Sequence, residues 1–207
     1  MYLRDLSVGA SHSASPLTEQ KQREFGFSAY HVQEIVLSFM PNKYELDGMG
    51  KTNLYLGPRG DKPQYQQLIN VNAYYLEEFD FDGYFASTER EREETILNAI
   101  ESSLADIARR FDADPTPIHQ AADSTRKCGF CRKYVIKRLC RSTRSRKLRL
   151  NVFREVRHGG ERWGIDFTNR SGDVVQTRWI TESTYRWESA YDYRSSVWKE
   201  DCFVILD

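Results

Sequence analysis

The stretch that decides the fold is TEREREETILNAIESSLADIARRF, residues 88–111. Thr88 is a good N-cap, and Glu91 follows three residues later, as in a capping box. The apolar side chains then recur with helical spacing, so one face of this segment is expected to be buried. These apolar side chains are Ile96, Leu97, Ile100, Leu104, Ile107, Ala108 and Phe111. We therefore predict a long amphipathic helix from Glu89 to Phe111.

The segments on both sides of this helix have the composition of strands. Before it, three segments rich in β-branched and aromatic residues are bounded by turn sequences: 25–40, 53–56 and 66–75. After it, the prolines of DPTP favour a short helix over 116–125. The last third predicts strands over 133–139, 147–156, 162–167, 174–181 and 202–206, joined by hairpin turns at Gly159-Gly160 and Ser171-Gly172.

This order of elements predicts an α+β fold, in which one long central helix and a short second helix pack on an antiparallel β-sheet. Residues 1–23 are polar and rich in serine, so we expect a flexible N-terminal arm followed by a single α+β domain over 24–207. No long apolar run or secretory signal is evident, so a cytoplasmic protein without membrane contact is expected.

The segment YYLEEFDFDGYFASTEREREET, residues 74–95, combines six aromatic side chains with eight carboxylates. Phe79, Phe81 and Phe85 alternate with acids, so the rings are expected to point inward while Asp80 and Asp82 point outward. The acids exceed what helix capping needs. Together with exposed tyrosines they predict a surface that steers a basic protein partner by charge and anchors it by aromatic burial. The predicted partner-binding residues are Tyr74, Tyr75, Glu77, Glu78, Asp80, Asp82 and Tyr84.

Motifs for catalysis and cofactors are weak in this chain. If Asp80 opened a calcium loop, Gly83 would come two places too early and Phe85 would occupy the glycine position. The segment GMGKT lacks the first glycine of a phosphate-binding loop and is followed by strand-like sequence rather than a helix. His31 is interpreted as a structural residue. We therefore predict a protein that is not an enzyme and that needs no cofactor.

The segment CGFC gives Cys128 and Cys131 the spacing of half a zinc site or of a redox dithiol. Cys140 lies nine residues further on and is a candidate third zinc ligand, while Cys202, His119 or His158 could supply the fourth. No second CxxC pair is present. Ordinary free thiols are therefore favoured over zinc.

Net charge is zero overall, but residues 1–125 carry −9 and residues 126–207 carry +9. The basic segment, residues 126–149, contains eleven Lys or Arg and no acid. It could bind the phosphates of a nucleic acid, with Phe130 and Tyr134 stacking on bases. Alternatively, its cations are solvated or meet the acidic part of the chain.

Residues 54–111 resemble the small bacterial α+β immunity proteins of polymorphic or contact-delivered toxin systems. The resemblance lies in LYLG (54–57), INVNAYYLEEFDFDGYF (69–85) and the helix EREETILNAIESSLADIARRF (91–111). It implies a cytoplasmic protein that binds one cognate toxin tightly and covers its active site without catalysis of its own. A nucleic-acid-binding module that uses the basic segment is the alternative.

Overall fold

The structure is a computed structural model that describes residues 1–11, 17–143, 146–181, 197–199 and 202–204. The fold class is α+β, as the sequence predicts, with four α-helices and both mixed and antiparallel sheets in the described part. The chain divides into two compact units, Met1–Phe130 and Cys131–Asp207. The single domain expected over 24–207 stays a prediction.

The first unit contains a four-stranded mixed sheet with the order β1-β2-β4-β3. Its strands are β1 (Asp5–Ala10), β2 (Lys51–Leu56), β3 (Tyr65–Leu68) and β4 (Val71–Leu76). Strands β1, β2 and β4 run parallel, and only β3 is antiparallel to its neighbour. The predicted all-antiparallel sheet is therefore wrong for this unit. A helix between β1 and β2 provides the crossover that parallel neighbours require.

Four helices complete the first unit: α1 (Glu19–Phe39), α2 (Phe81–Ala86), α3 (Glu89–Arg110) and α4 (Thr116–Lys127). The two helices predicted over 89–111 and 116–125 are thus confirmed as α3 and α4. The capping box of α3 is also present. The Thr88 N–H donates to Glu91 Oε2 over 2.8 Å, and the Glu91 N–H donates to Thr88 Oγ1 over 3.4 Å.

The strand predicted over Phe25–Met40 is wrong, because this segment belongs to α1. The side chains of Phe25, Ala29, Val32 and Val36 are all buried at spacings of four, three and four residues, which is a helical period. Thr18 caps the helix by accepting a hydrogen bond from the Lys21 N–H over 3.3 Å. The β-branched and aromatic content of the segment is therefore overridden by the packing of one helix face.

The predicted N-terminal arm also differs from the structure, since Asp5–Ala10 forms strand β1 of the sheet. Its apolar side chains Leu6, Val8 and Ala10 are buried and alternate with more exposed residues. Its strand partner, β2, lies some 45 residues away in sequence, so the local composition of the arm carries no sign of the pairing. Residues 12–16 of the predicted arm lie outside the described residues.

The second unit contains an antiparallel sheet with the order β5-β7-β8-β9, and β6 pairs with β7. These strands are β5 (Arg132–Val135), β6 (Arg141–Ser142), β7 (Arg149–Arg157), β8 (Gly160–Thr168) and β9 (Val174–Trp179). A further antiparallel pair joins β10 (Val197–Lys199) and β11 (Cys202–Val204). The predicted meander and its hairpin turns are confirmed for β7, β8 and β9. The strand predicted over 133–139 ends at Val135, because Lys137–Leu139 forms a 3-10 helix, and the strand predicted over 202–206 pairs with β10 instead. Ile205 and Leu206, at the end of the last predicted strand, lie outside the described residues.

Candidate partner-binding site

The acidic–aromatic segment, residues 74–95, starts within β4 and leaves the sheet at the carboxyl edge of the parallel strands in the first unit. Strand β4 ends at Leu76, whose carbonyl accepts a hydrogen bond from the Gly57 N–H over 2.8 Å, so β2 and β4 end side by side. The chain then continues through Glu77 and Glu78 into α2. Ligand sites of sheets with parallel strands favour this carboxyl edge, because the loops that leave the strands converge there.

An aromatic cluster packs against the buried side of helix α2. The Phe25 ring of α1 lies 5.3 Å from Phe81 and 5.1 Å from Tyr84, and Phe79 lies 4.8 Å from Phe81, measured between ring centroids. The expected inward rings and outward acids are therefore found. Their cause is a helical turn capped by Asp80, whose Oδ1 accepts the Gly83 N–H over 2.9 Å, rather than strand alternation.

Arg92 of α3 holds the other end of α2. Its Nε donates to the carbonyls of Tyr84 (3.0 Å) and Ser87 (3.1 Å), and its Nη2 donates to the carbonyl of Phe85. These carbonyls include orphan acceptors at the helix C-terminus, where a cation is also favoured by the helix dipole. The position of the acidic segment is thus fixed by the aromatic cluster, by Asp80 and by Arg92.

A groove of about 500 Å³ lies beside this segment. We call it the acidic groove, and it is lined by Leu17, Thr18, Lys21, Pro58, Glu77, Glu78, Phe79, Asp80, Phe81 and Asp82. Four of these residues carry carboxylates and only Lys21 carries a cation, so the groove favours positively charged groups. The half-buried ring of Phe79 supplies apolar surface in the same groove, whereas Phe81 is buried beneath it.

The four carboxylates of the groove differ in how far the fold already uses them. Glu77 forms an ion pair with Arg59 over 2.8 Å, and Asp80 caps α2. Glu78 and Asp82 are exposed and have no hydrogen-bond or ion-pair partner among the described residues. Because no described side chain pairs with them, Glu78 and Asp82 are the carboxylates available to a partner.

The prediction that Tyr74, Tyr75 and Tyr84 are exposed anchors is wrong, because all three side chains are buried. Tyr74 donates its hydroxyl hydrogen to Asp106 Oδ2 over 2.8 Å, and burial, followed by this hydrogen bond, raises the pKa of Tyr74 to about 12. Tyr75 stacks on a neighbouring tyrosine of β2 at 5.0 Å. Tyr84 lies 2.5 Å from Ser28, oxygen to oxygen. These three tyrosines stabilise the first unit rather than forming a contact surface.

The acids at the start of α3 do not extend the groove either. Glu93 is buried, and its Oε1 lies 2.8 Å from His31 Nε2 on α1, so the structural interpretation of His31 agrees with its position. Glu94 pairs with Arg90 over 3.0 Å and with Arg126 over 3.1 Å. Glu93 and Glu94 are therefore already used within the first unit.

A second polar cluster, which the sequence reasoning missed, lies at the opposite edge of the same sheet. Asp47 is nearly buried and accepts hydrogen bonds from the Tyr65 hydroxyl (2.6 Å), the Met49 N–H (2.9 Å) and Asn72. Asn72 also donates to Thr52 Oγ1 over 2.9 Å. The one available signal was the turn sequence around Asp47, since aspartate readily accepts the N–H two residues on. Its donors tie the loop before β2 to strands β3 and β4.

Two thiols of the cysteine candidates are engaged in local hydrogen bonds. Cys128 Sγ donates to the Thr125 carbonyl over 3.2 Å, and Cys140 Sγ donates to the Ile136 carbonyl over 3.5 Å. Among the described residues, Cys128, Cys131 and Cys140 form no disulfide. Within the described part of the chain, no group of three potential ligands that includes a cysteine is close enough to hold a metal. The side chain of Cys202 lies outside the described residues.

The basic segment is only partly available to a nucleic acid. Arg126 is held by Glu94, Asn98 and Glu101 at 2.8–3.1 Å, and Lys133 lies 3.4 Å from Asp166. Phe130, a predicted stacking residue, is buried, so the expectation that it stacks on bases is wrong. Arg90 already stacks over its ring at 4.3 Å. Tyr134 is half-buried. The guanidinium carbons of Arg132 and Arg154 lie 5.4 and 5.1 Å from the centroid of its ring.

Among the described residues, none of the helices combines the length and apolar character that crossing a bilayer requires. The chain matches no family model, no curated protein and no solved structure.

Proposed function

We propose that this chain is an immunity protein that binds a cognate bacterial toxin through the acidic groove and covers the active site of the toxin. The single observation that carries the proposal is the pair of uncommitted carboxylates, Glu78 and Asp82, beside apolar rings on a firmly anchored turn. The proposal requires no catalysis and no cofactor, and it places the complex in the cytoplasm of the producing cell.

The groove has the properties that a strong protein contact needs. Apolar rings give affinity when they are covered, whereas exposed charges mainly give association rate and selectivity. The carboxylates fit a lysine or arginine of the partner, whose aliphatic stem can cover Phe79 while its charge meets Glu78 or Asp82. Since Asp80 and Arg92 fix the turn before any partner arrives, little conformational entropy is lost on binding.

The acidic character of the groove suggests which toxins fit. An enzyme that acts on a polyanion such as a nucleic acid must itself present a basic cleft. An acidic inhibitor surface that fills such a cleft would exclude the substrate. We therefore propose a nuclease, or another enzyme with a basic cleft, as the target.

The experiment is capture of the partner from the native bacterial lysate with the tagged full-length protein, after nuclease treatment and at low and moderate salt. The captured protein is then expressed alone and together with this chain. We expect the partner alone to arrest growth and coexpression to restore growth. A captured protein that is harmless when expressed alone would contradict the proposed function.

The contribution of the groove is tested with the double variant Glu78→Lys, Asp82→Lys, because neither side chain has a partner in the described part of the chain. The matched control is Glu45→Lys, an exposed acid in the loop before β2. We expect the double variant to weaken binding by at least about tenfold and to lose protection, while the control changes neither. Unchanged affinity in the double variant would exclude the acidic groove as the interface.

The alternative, a nucleic-acid-binding module in the basic segment, predicts a different result in the same capture experiment. Nucleic acid, rather than protein, would be recovered without nuclease, and its recovery would fall steeply with salt. The buried position of Phe130 and the ion pairs of Arg126 weigh against this alternative.

A further inference from the structure

The β3–β4 hairpin presents large aliphatic side chains to solvent without packing against the rest of the fold. The side chain of Ile69 is 95% exposed and that of Leu68 is 64% exposed. Both lie at the tip of the hairpin, where Leu68 pairs with Val71 and a loop of two residues, Ile69 and Asn70, connects the strands. The exposure of these side chains gives the isolated chain no stability.

The backbone at this tip is also strained. Ile69 has φ = 24° and Asn70 has φ = 63°, so both loop residues are in the left-handed region. Two-residue hairpin loops of this kind favour asparagine followed by glycine, whereas a β-branched residue with positive φ is an outlier. A strained and fully exposed isoleucine is unfavourable for folding and therefore points to a role outside the fold of a single molecule.

The hairpin that ends in this tip contains no charged residue. Residues 63–76 contain no Asp, Glu, Lys or Arg, although 29% of the whole chain is charged. Two copies of one surface carry identical charges, so a charged patch repels its own copy unless opposite charges meet across the symmetry axis. The absence of charge removes this repulsion.

The backbone of β3 is available for pairing. Strand β3 is the last strand of its sheet, and its side away from β4 pairs with no other strand of the described residues. The Tyr75 N–H donates to the Gln64 carbonyl, and hydrogen-bonded pairs alternate along antiparallel strands. The backbone polar groups of Tyr65 and Gln67 therefore point away from the sheet. Charged side chains, which often protect such edges, are missing here.

We propose that the edge of β3 and the tip at Leu68 and Ile69 form a self-association surface, on which a second copy of this chain pairs antiparallel about a two-fold axis close to Gln67. This register places Ile69 of each copy against Tyr65 of the other copy. The Tyr65 ring packs at 5.3 Å on Phe111, which is itself 41% exposed, so the aliphatic tip covers an exposed ring. The paired strands extend the sheet across the dimer.

The dimer is expected to be reversible, because four residues form a short strand. We expect a Kd on the order of 10–100 μM. Sedimentation of the full-length protein over a concentration series measures this equilibrium. Hydrogen exchange at low and high concentration tests the location, since the amides of Tyr65 and Gln67 should become protected only when the dimer forms.

Two variants separate self-association from folding. Gln67→Lys brings two like charges together at the axis and should weaken the dimer by about fivefold or more. Because it also removes the hydrogen bond that Gln67 Nε2 donates to the Asp47 carbonyl over 3.2 Å, its Tm is measured as well. Ile69→Asn supplies the residue that the turn favours, so it should raise the Tm while weakening the dimer. A side chain that served only the fold could not produce this opposite pair of effects.

The matched control is Val175→Lys, which changes another exposed aliphatic side chain, on β9 in the second unit. We expect this variant to dimerise like the unmodified protein. Sedimentation as a monomer at all concentrations would overturn the proposal. A dimer that survives both Gln67→Lys and Ile69→Asn, or that is lost in Val175→Lys alone, would overturn it as well.

Discussion

Replacement of Arg92 by alanine is expected to loosen the segment that carries the acidic groove. The guanidinium donates to three backbone carbonyls at the end of α2, those of Tyr84, Phe85 and Ser87. A hydrogen bond from a charged donor contributes about 1.5–3 kcal/mol, and bonds that share one group do not add in full. We therefore expect the free energy of opening of this segment to fall by about 2–3 kcal/mol.

Hydrogen exchange measures this opening directly. The Tyr84 and Ser87 amides are hydrogen-bonded within the α2 region, at 3.0 and 3.2 Å. A loss of about 2 kcal/mol corresponds to roughly thirtyfold faster exchange at these amides. Arg92→Lys keeps the charge but lacks the planar fork that reaches several carbonyls, so it should recover less than half of the loss.

Arg109→Ala is the matched control, because it removes an exposed arginine from the same helix. Its partner is Asp106 at 3.2 Å, a surface ion pair expected to contribute at most about 1 kcal/mol. Equal effects of the two alanine variants, or unchanged exchange at Tyr84 and Ser87 in Arg92→Ala, would refute the assignment of Arg92 as the anchor of α2.

Two further predictions concern stability. Gly57 has φ = 94°, and a Cβ there would lie 2.7 Å from the Phe81 ring. Chemical denaturation of Gly57→Ala should therefore show an unfolding free energy that is lower by about 2–4 kcal/mol. In Gly48→Ala only the positive φ opposes the added methyl group, so we expect the unfolding free energy to fall by about 1 kcal/mol. Equal losses in the two variants would show that contact with the Phe81 ring does not contribute. For Glu101, burial alone would raise the pKa, but hydrogen bonds from His119 and Arg126 on α4 outweigh it and hold the pKa below 4.5. The stabilisation by Glu101 is therefore present above pH 4.5 and is lost as the pH falls below it. The difference in unfolding free energy between the unmodified protein and Glu101→Gln should therefore narrow on acidification. A difference that stays constant with pH would contradict this.

The elements that sequence reasoning predicted correctly are those with local signals. Helix α3 has its own cap and its own apolar face, and the strands of the second unit are separated by glycine-containing turns. Helix α1 was missed because its composition resembles that of a strand, although its period is helical. Strand β1 was missed because only its distant neighbour β2 makes it a strand.

For the candidate site, the sequence predicts the exposed acids correctly but not the burial of the tyrosines. The outward acids follow from sequence, since aspartate and glutamate remain in water unless they are paired. The burial of Tyr74 depends on α3, which supplies Asp106 as the acceptor of its hydroxyl hydrogen. The same holds for Tyr84, whose hydroxyl meets Ser28 on α1. Such partners, 32 and 56 residues away, cannot be read from the local pattern.

The parallel pairing of β1 with β2 also sets an order of events during synthesis on the ribosome. Asp5 lies 46 residues before its pairing partner Lys51, so β1 has no strand to join until β2 has emerged. At roughly 5–20 residues per second, the nascent chain carries an unpaired β1 for about 2–9 seconds. Ser7 and Gly9 interrupt its apolar residues and lower the risk of aggregation during that wait. The first unit can then complete its sheet while the second unit is still being translated.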